Sequence, residues 1–290
     1  MNLSELNPFT KAKNKHRPLI LDGAMGSLLQ QKGFKSSGPS WMTRINSESP
    51  ETIISIHKDY IDAGADIITT NTFRTNPIAL GNIGTSKIDV ESAVLLAKSA
   101  VKDKSILIAG SNAPAEDCYK RERTISYKKL KENHINHIDL LIDNSVDFVL
   151  NETQSHYDEI EIICKHCSQN SIPYIISLYV DDNLKLLSGE NFDDVIKFIL
   201  EHKVLAIGIN CISPAPFSQI VKMLNENINF GFYLNCIKGS QKYSKIECGI
   251  SPIEYGEIVK EYLQFSPSFI GACCGSSPEH IREIKKVLDG

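Results

Sequence analysis

At 290 residues the chain is long enough for one large domain or two ordinary ones. Hydrophobic residues make up 42% and charged residues 23%, which is typical of a folded protein with a sizeable core and excludes a disordered chain. The net charge of -4, with both signs spread along the sequence, argues against nucleic acid or an anionic membrane as partner and favours small molecules.

The chain opens with a polar, basic segment that lacks the apolar core of a signal peptide. No later segment reaches the roughly 18 to 20 apolar residues that a membrane-spanning helix needs. We therefore predict a cytoplasmic protein with an N-terminal polar extension, residues 1–15, and one domain, residues 16–290. In such a protein we expect the eight cysteines to be core residues, metal ligands or reactive thiols rather than disulfides.

Short β-branched apolar runs alternate along the chain with stretches of helical periodicity. The predicted strands are 18–21, 66–70, 105–109, 146–150, 172–179, 204–209, 228–234 and 268–272. The main predicted helices are 50–63, 90–101, 127–144, 157–166, 192–201, 217–225, 253–263 and 278–288. Eight repeats without a linker predict a (β/α)8 TIM barrel. An open, doubly wound parallel sheet permits the same alternation and is the alternative.

Polar residues and cysteines cluster directly after the predicted strands, where barrel enzymes carry their active sites. Asp22 and Gly23 follow the first strand, and Glu152 follows the fourth. The last three strands end in Asn210-Cys211, Asn235-Cys236 and Cys273-Cys274. We therefore expect cysteines from several strands to meet at one rim of the barrel.

This arrangement of cysteines favours a metal site. The sixth and eighth strands flank the seventh, so their backbones should lie roughly 10 Å apart, and thiolates with Zn–S bonds of ~2.3 Å can span that gap. Cys273 and Cys274 can share the ion only if the backbone bends there, which Gly271 and Gly275 would allow. Three thiolates leave one coordination position open, as in catalytic zinc sites. A substrate thiol placed there would become a nucleophilic thiolate, so the pattern predicts methyl transfer to sulfur.

Five motifs carry a family resemblance: DGAMGS at 22–27, NTF at 71–73, Glu152-Thr153, GINC at 208–211 and GACCG at 271–275. In this order, from residue 18 to about 288, they resemble the homocysteine S-methyltransferase family. The resemblance implies a (β/α)8 barrel that methylates homocysteine to methionine and holds Zn2+ through Cys211, Cys273 and Cys274. It further implies that Asp22, Gly23 and Glu152 bind the amino-acid end of homocysteine. Asn235 would fill the open zinc position before the substrate arrives.

The methyl donor is inferred from departures from the family pattern. Thr153 stands where betaine-using relatives resemble one another in having tyrosine, which makes a sulfonium, S-methylmethionine or S-adenosylmethionine, the expected donor. Residues 233–237 read Tyr-Leu-Asn-Cys-Ile where many relatives resemble Tyr-Pro-Asn-Ser-Gly, so the loop can differ in shape. Two alternatives stay open: a zinc-binding methyl-acceptor subunit that docks onto a separate methyl-corrinoid protein, and a methyltransferase for another small thiol or selenol.

The remaining cysteines and two histidines receive no functional role. We expect Cys164 and Cys167 to be core residues, because free cysteines are usually buried and no second pair accompanies them. His134 and His137 share a helix face, and the neighbouring Lys131 suggests that this face is solvated. The roles of the other three cysteines, Cys118, Cys236 and Cys248, are left unassigned.

Overall fold

A single parallel sheet forms the centre of the molecule in the computed structural model, which describes residues 7–36, 38–102, 105–224, 227–237 and 246–290. Its eight strands are hydrogen-bonded in the order β1-β8-β7-β6-β5-β4-β3-β2. They are β1 (Leu19–Ile20), β2 (Ile67–Thr69), β3 (Leu107–Asn112), β4 (Phe148–Gln154), β5 (Tyr174–Leu178), β6 (Ala206–Asn210), β7 (Phe230–Leu234) and β8 (Phe269–Ala272).

The sheet closes between its first and second strands. The backbone N–H of Asp22 donates to the carbonyl of Ile67 at 2.9 Å, and that of Asp66 donates to the carbonyl of Ile20 at 2.8 Å. Because these bonds join β1 to β2, the sheet has no free edge on that side. The predicted (β/α)8 barrel is confirmed, and the open doubly wound sheet is excluded.

Helices follow the strands on the outside of the barrel, and one further helix precedes the first strand. They are α1 (Pro8–Asn14), α2 (Met25–Gln31), α3 (Ile45–Glu48), α4 (Pro50–Ala63), α5 (Pro77–Leu80), α6 (Ile83–Ala100), α7 (Tyr127–Asp143), α8 (Tyr157–Gln169), α9 (Phe192–Leu200), α10 (Pro214–Ile220), α11 (Pro252–Tyr262) and α12 (Pro278–Asp289). The eight predicted helices are all present; the one predicted at 50–63 has these same ends, and the other seven differ at one or both ends. Helix α6 begins earlier than predicted because the Asn82 side chain caps it, accepting from the Thr85 N–H. Helix α10 also begins earlier, at a proline suited to a first helical position, while residue 225, the predicted end, lies outside the described residues.

Helix α1 closes the amino-terminal end of the barrel. Phe9 is fully buried there, and its ring packs edge-on against the rings of Phe148 and Phe269, with centroids 5.5 Å away in each case. The Asn7 side chain donates to the Leu205 carbonyl at 2.8 Å. Part of the predicted polar extension therefore packs into the core. Residues 1–6 lie outside the described residues, and the boundary between 15 and 16 stays a prediction.

The barrel interior is apolar from this plug up to the cysteines. A continuous cluster of buried side chains runs from Phe9 through strand residues such as Ile67 and Leu150 to Cys211 and Cys273. A second, larger cluster fills the layer between the sheet and the helices. Both faces of these strands are buried. The strands therefore appear in the sequence as continuous apolar runs rather than as alternating apolar and polar residues. No helix within the described ranges is long and apolar enough to cross a bilayer.

The prediction that His134 and His137 are solvated is wrong. Both side chains are fully buried on the inner face of α7. His134 contacts the Glu159 carboxylate, and His137 Nδ1 lies 2.8 Å from Asn112 Oδ1. Burial lowers the pKa of His137 to about 3, so its ring is neutral. Lys131 is exposed although it lies only three positions before His134, so one charged residue at this spacing does not show that the whole helix face is solvated.

Candidate active site

A cavity of about 700 Å³ opens at the carboxyl ends of the strands. Its wall contains most of the predicted site residues: Asp22, Gly23, Glu152, Cys211, Cys273 and Cys274. Asn235 is not part of the wall, but it lies directly behind Cys211. The strand ends therefore bring together in one place residues that are up to 252 positions apart, such as Asp22 and Cys274.

Three cysteine side chains meet at the floor of the cavity. The Sγ atoms of Cys211, Cys273 and Cys274 all lie within 4.8 Å of one another, and those of Cys211 and Cys273 are 2.6 Å apart. Cys211 and Cys273 are buried, and Cys274 is partly exposed. Three thiols at this spacing form a set of soft ligands of the kind that zinc prefers. In the part of the chain that the structure describes, this is the one such group of potential metal ligands.

The backbone leaves the regular strand where each cysteine is placed. Cys211 adopts φ 57°, in the left-handed region, directly after β6. Cys273 still pairs with the sheet through its N–H, which donates to the Leu234 carbonyl at 2.9 Å, whereas Gly275 turns away with φ 87°. The predicted bend is therefore present, and it lets two adjacent thiols face the same point. A side chain at Gly271 would also approach Leu21 to 2.9 Å, so this position is sterically limited to glycine.

The three thiols share their protons. Hydrogen bonds from the side chains of Cys273 and Cys274 hold the pKa of Cys211 well below its usual value. The same coupling to Cys211 raises the pKa of Cys273. Thr153, which also has a left-handed φ of 57°, places its hydroxyl 3.9 Å from the Cys211 sulfur. One member of the group is therefore favoured as a thiolate, the form that binds metals.

Asp22 is a buried carboxylate held at the end of β1. It accepts hydrogen bonds from the backbone N–H and the hydroxyl of Thr69, both at 2.8 Å. Burial nevertheless raises its pKa to about 7, because the two hydrogen bonds only partly offset the loss of solvation. The neighbouring Gly23 has no room for a side chain: a Cβ there would lie 2.7 Å from the hydroxyls of Ser276 and Tyr60. Glycine is therefore required here, because the Ser276 and Tyr60 side chains pack directly against the backbone next to Asp22.

Glu152 is the second carboxylate of the cavity and comes from β4. It accepts a hydrogen bond from the Ser111 hydroxyl at the end of β3. Burial raises its pKa to about 8, and the nearby charges of Cys211 and Asp22 add to this effect. Two carboxylates that are costly to ionise when alone are well suited to a cationic ligand, whose charge would favour their ionised forms.

Asn235 holds the backbone next to one of the cysteines. Its side-chain N–H donates to the Cys211 carbonyl at 2.7 Å, and its Oδ1 is buried with no hydrogen-bond partner among the described residues. A buried amide oxygen without a partner is uncommon and calls for an explanation. Such an unpaired acceptor oxygen, on a residue hydrogen-bonded to Cys211, is a candidate for a fourth metal ligand.

The cavity wall also contains residues for which the sequence predicted no role. Trp41 and Phe73 form an edge-to-face pair with centroids 5.9 Å apart, and Arg74 lies over the Phe73 ring at 5.3 Å. Tyr119 and Cys118 also line the wall. Phe73 belongs to the NTF motif, and Trp41 is the single tryptophan of the chain, so the sequence weakly indicates both as site residues. The sequence does not indicate a role in the site for Cys118 or Arg74.

The other cysteines lie outside the cavity wall. Cys164 and Cys167 are buried in the main hydrophobic cluster, as predicted. Cys236 is buried behind β7, and burial raises its pKa above the usual range of a thiol. Cys248 is exposed, and its sulfur lies 3.8 Å from His280 Nε2.

Comparison with known proteins gives a consistent result over nearly the whole chain. The model of the homocysteine S-methyltransferase family matches residues 19–288. Homocysteine S-methyltransferase YbgG from Bacillus subtilis is 26% identical over 305 residues, covering 96% of this chain and 97% of that protein. Selenocysteine methyltransferase from Astragalus bisulcatus is 23% identical, with 94% and 93% covered.

A solved structure shares the fold. The crystal structure of the metallated homocysteine methyltransferase MmuM from Escherichia coli superposes with a TM-score of 0.80 at 24% sequence identity. The superposition covers 97% of this chain and 99% of that one. The structural similarity therefore extends over the whole barrel.

Proposed function

We propose that this chain, which belongs to the homocysteine S-methyltransferase family, transfers a methyl group from a sulfonium donor to the sulfur of homocysteine and so forms methionine. The observation that carries this proposal is the convergence of three cysteine sulfurs within 4.8 Å at the floor of a cavity that also contains the carboxylates of Asp22 and Glu152. Thiol ligands and carboxylates at this spacing suit an amino acid that carries a thiol at its other end. Related proteins named for homocysteine and selenocysteine methylation support the reaction class.

A zinc ion would fit the three cysteines, Cys211, Cys273 and Cys274. Asn235 would supply the fourth ligand. The three sulfurs are close enough to share one ion, and the buried Oδ1 of Asn235 lacks another partner among the described residues. Three cysteines with one exchangeable ligand correspond to an open, catalytic type of zinc site. When bound, zinc would favour the thiolate form of a substrate thiol at neutral pH.

The protein's own groups would orient the acceptor. Asp22 and Glu152 would bind its ammonium group, and the backbone of Gly23, which lines the cavity, would contact the amino-acid end. Their low exposure makes both carboxylates strong partners, because hydrogen bonds to charged groups strengthen as the local dielectric falls. The thiolate of the acceptor would then attack the methyl carbon of the donor, forming a C–S bond while the donor's C–S bond breaks and its electron pair stays on the departing sulfide.

The sulfonium donor is supported by the aromatic residues of the cavity wall. The rings of Trp41, Phe73 and Tyr119 line the wall, and aromatic faces attract onium cations. We retain two alternative proposals. A selenol acceptor is supported by the resemblance to selenocysteine methyltransferase. A methyl-corrinoid protein as donor would require a docking partner for turnover.

A donor panel tests this proposal. The purified protein is incubated with zinc, homocysteine deuterated on its side-chain carbons, and one donor at a time: S-methylmethionine, S-adenosylmethionine or betaine. Mass spectrometry then separates deuterated methionine, which forms only by methylation of the acceptor, from methionine released by the donor. We expect deuterated methionine with a sulfonium donor. If methionine forms only after a methyl-corrinoid protein is added, the sulfonium proposal is wrong and the docking alternative is favoured.

A further inference from the structure

Arg74 is the single cation among the described residues that line the cavity. The other charged residues of the wall are acidic: Asp22, Glu116, Asp117 and Glu152. Arg74 is partly buried, and no carboxylate among the described residues lies within ion-pair distance of it. A partly buried guanidinium without a counter-ion is unusual, because such groups are normally paired.

The position of Arg74 is fixed by the backbone of a neighbouring loop. Its Nη1 donates to the carbonyls of Pro114 and Glu116, at 3.1 Å and 2.8 Å, and its guanidinium packs over Phe73. These contacts hold the group in place but leave its charge uncompensated. The remaining N–H groups of the fork make no hydrogen bond that the structure shows within the described ranges. A planar carboxylate is the ligand that this fork recognises best.

The acidic residues next to Arg74 have other partners. Glu116 accepts from the Thr124 N–H at 3.0 Å and also binds the Thr124 hydroxyl. Asp117 accepts from the Tyr119 N–H at 3.1 Å and lies 3.9 Å from the Lys120 ammonium. Neither carboxylate therefore neutralises the guanidinium directly.

Arg74 and the two buried carboxylates occupy different levels of the cavity. Glu152 and its partner Ser111 belong to strands, and Asp22 directly follows one, so these groups mark the strand ends. Arg74 lies in the loop after β2 and is held by the loop after β3, next to the aromatic pair of Trp41 and Phe73. The inner level beside the cysteines is thus acidic, whereas the loops beside the rings of Trp41 and Phe73 carry the guanidinium of Arg74 together with two carboxylates that have other partners.

We infer that Arg74 is the specificity residue for the methyl donor and binds its carboxylate, so that the enzyme selects a sulfonium that also bears a carboxylate. This inference rests on the proposed function, because it assigns the inner level to the acceptor. The sulfonium would lie against the aromatic rings with its methyl group toward the cysteines. The carboxylate would reach outward to the guanidinium.

The test compares two donors that differ only at this group: S-methylmethionine and its carboxamide, S-methylmethioninamide. We expect wild-type protein to prefer the acid by about 10- to 100-fold in kcat/KM, the range that a hydrogen-bonded charge pair supplies. In Arg74→Gln this preference should disappear, through a higher KM for S-methylmethionine. Arg74→Lys should keep part of it, because the charge remains while the fork is lost. If the amide is not turned over, its inhibition constant against S-methylmethionine replaces kcat/KM.

Arg44→Gln is the matched control. Arg44 pairs with Glu48, lies outside the cavity wall and carries the same charge, so its replacement should leave the preference intact. The inference is overturned if wild-type protein shows no preference for the acid, or if Arg74→Gln retains it. It is also overturned if Arg74→Gln raises the KM of homocysteine instead, since Arg74 would then contact the acceptor. Absence of methionine formation by wild-type protein would instead count against the proposed function.

Discussion

Asn235 and Cys211 are joined by a hydrogen bond from the side-chain amide of one to the backbone carbonyl of the other. The side-chain N–H of Asn235 donates to the Cys211 carbonyl at 2.7 Å, which fixes the orientation of the amide group. Its Oδ1 is then left buried without a partner among the described residues. The protein tolerates an unsatisfied oxygen here, and a metal ion would explain it, since a hard oxygen ligand can complete a site of three thiolates.

Removal of this amide should weaken zinc retention. We expect Asn235→Ala to lose zinc to a competing chelator about 10- to 100-fold faster than wild-type protein, the range seen when groups supporting a metal site are removed. Added homocysteine should narrow the difference, because the substrate thiol would replace the amide. Asn229→Ala is the control: it lies at the other end of β7, and its amide binds the Leu205 carbonyl at 3.2 Å. Equal release rates for Asn235→Ala and wild type would rule out the amide as a ligand.

The three cysteines should be individually essential for metal binding. We expect Cys211→Ala, Cys273→Ala and Cys274→Ala each to lose zinc at least about 100-fold more readily, since loss of a direct ligand exceeds the effect of a supporting group. Methionine formation should fall in parallel. Metal content after dialysis, measured by mass spectrometry, checks this result. Cys248→Ala serves as control, because Cys248 is exposed and outside the cavity. Full zinc content in the three variants would refute the assignment.

Glu152 should recognise the ammonium group of the acceptor. We expect Glu152→Gln to raise the KM for homocysteine about 10- to 100-fold, the cost of a buried charge-assisted hydrogen bond. The KM for 4-mercaptobutyrate, which lacks the amino group, should change much less. Glu161→Gln is the control, because it removes the same charge from an exposed ion pair with Lys165 on α8. An equal rise in KM for both thiols would show that Glu152 acts on the shape of the cavity instead.

The strand ends could be predicted because parallel strands leave a strong local signal. A run such as Ala206–Asn210 is buried on both faces, so it appears in the sequence as an apolar stretch that stops at a polar residue. The barrel topology then places Cys211 and Cys273 at one rim without further information. The bend at Cys274 was also predictable, because Gly275 marks a left-handed turn.

Features that depend on contacts between distant segments could not be predicted. His134 is buried because Glu159, on the next helix, provides a charged partner, and neither sequence window shows this pairing. Phe9 belongs to the core because the open end of the barrel needs a plug, a requirement of the closed sheet rather than of the local sequence. Arg74 becomes conspicuous only when the other charges of the cavity wall are known.

The plug at the amino-terminal end should contribute substantially to stability. We expect Phe9→Ala to lower the free energy of unfolding by about 3–5 kcal/mol, since it deletes a fully buried ring that contacts Phe148 and Phe269. Phe9→Leu should cost less, because it retains most of the buried volume. Urea denaturation of both variants measures the effect, and KM values should stay unchanged because Phe9 lies at the opposite end from the cavity. A loss below about 1 kcal/mol, typical of surface changes, would show that α1 is only loosely attached.

Ionisation of the buried Asp22 should lower the free energy of unfolding. This cost accompanies a carboxylate proposed to bind the substrate ammonium. Its pKa is about 7 in the folded protein and 3.8 when exposed, and burial is the main cause. A group whose folded pKa is raised favours the folded state below its unfolded pKa, and that contribution is lost as pH rises through the folded pKa. Between pH 4 and pH 7 the folded protein should therefore lose up to about 4 kcal/mol from this one residue, at 1.36 kcal/mol per pH unit.

Asp22→Asn removes the charge but keeps a group that can accept from the Thr69 N–H. Because the neutral amide does not titrate, the variant should gain stability relative to wild type as pH rises from 4 to 7, and the gain should level off above pH 7. Urea denaturation at pH 4, 5.5, 7 and 8.5, without homocysteine, gives this difference directly, since other titrating groups cancel between the two proteins. Homocysteine should stabilise wild type more than the variant, because its ammonium needs the carboxylate. A stability difference that does not change with pH would show that Asp22 titrates normally and that its burial carries no functional cost.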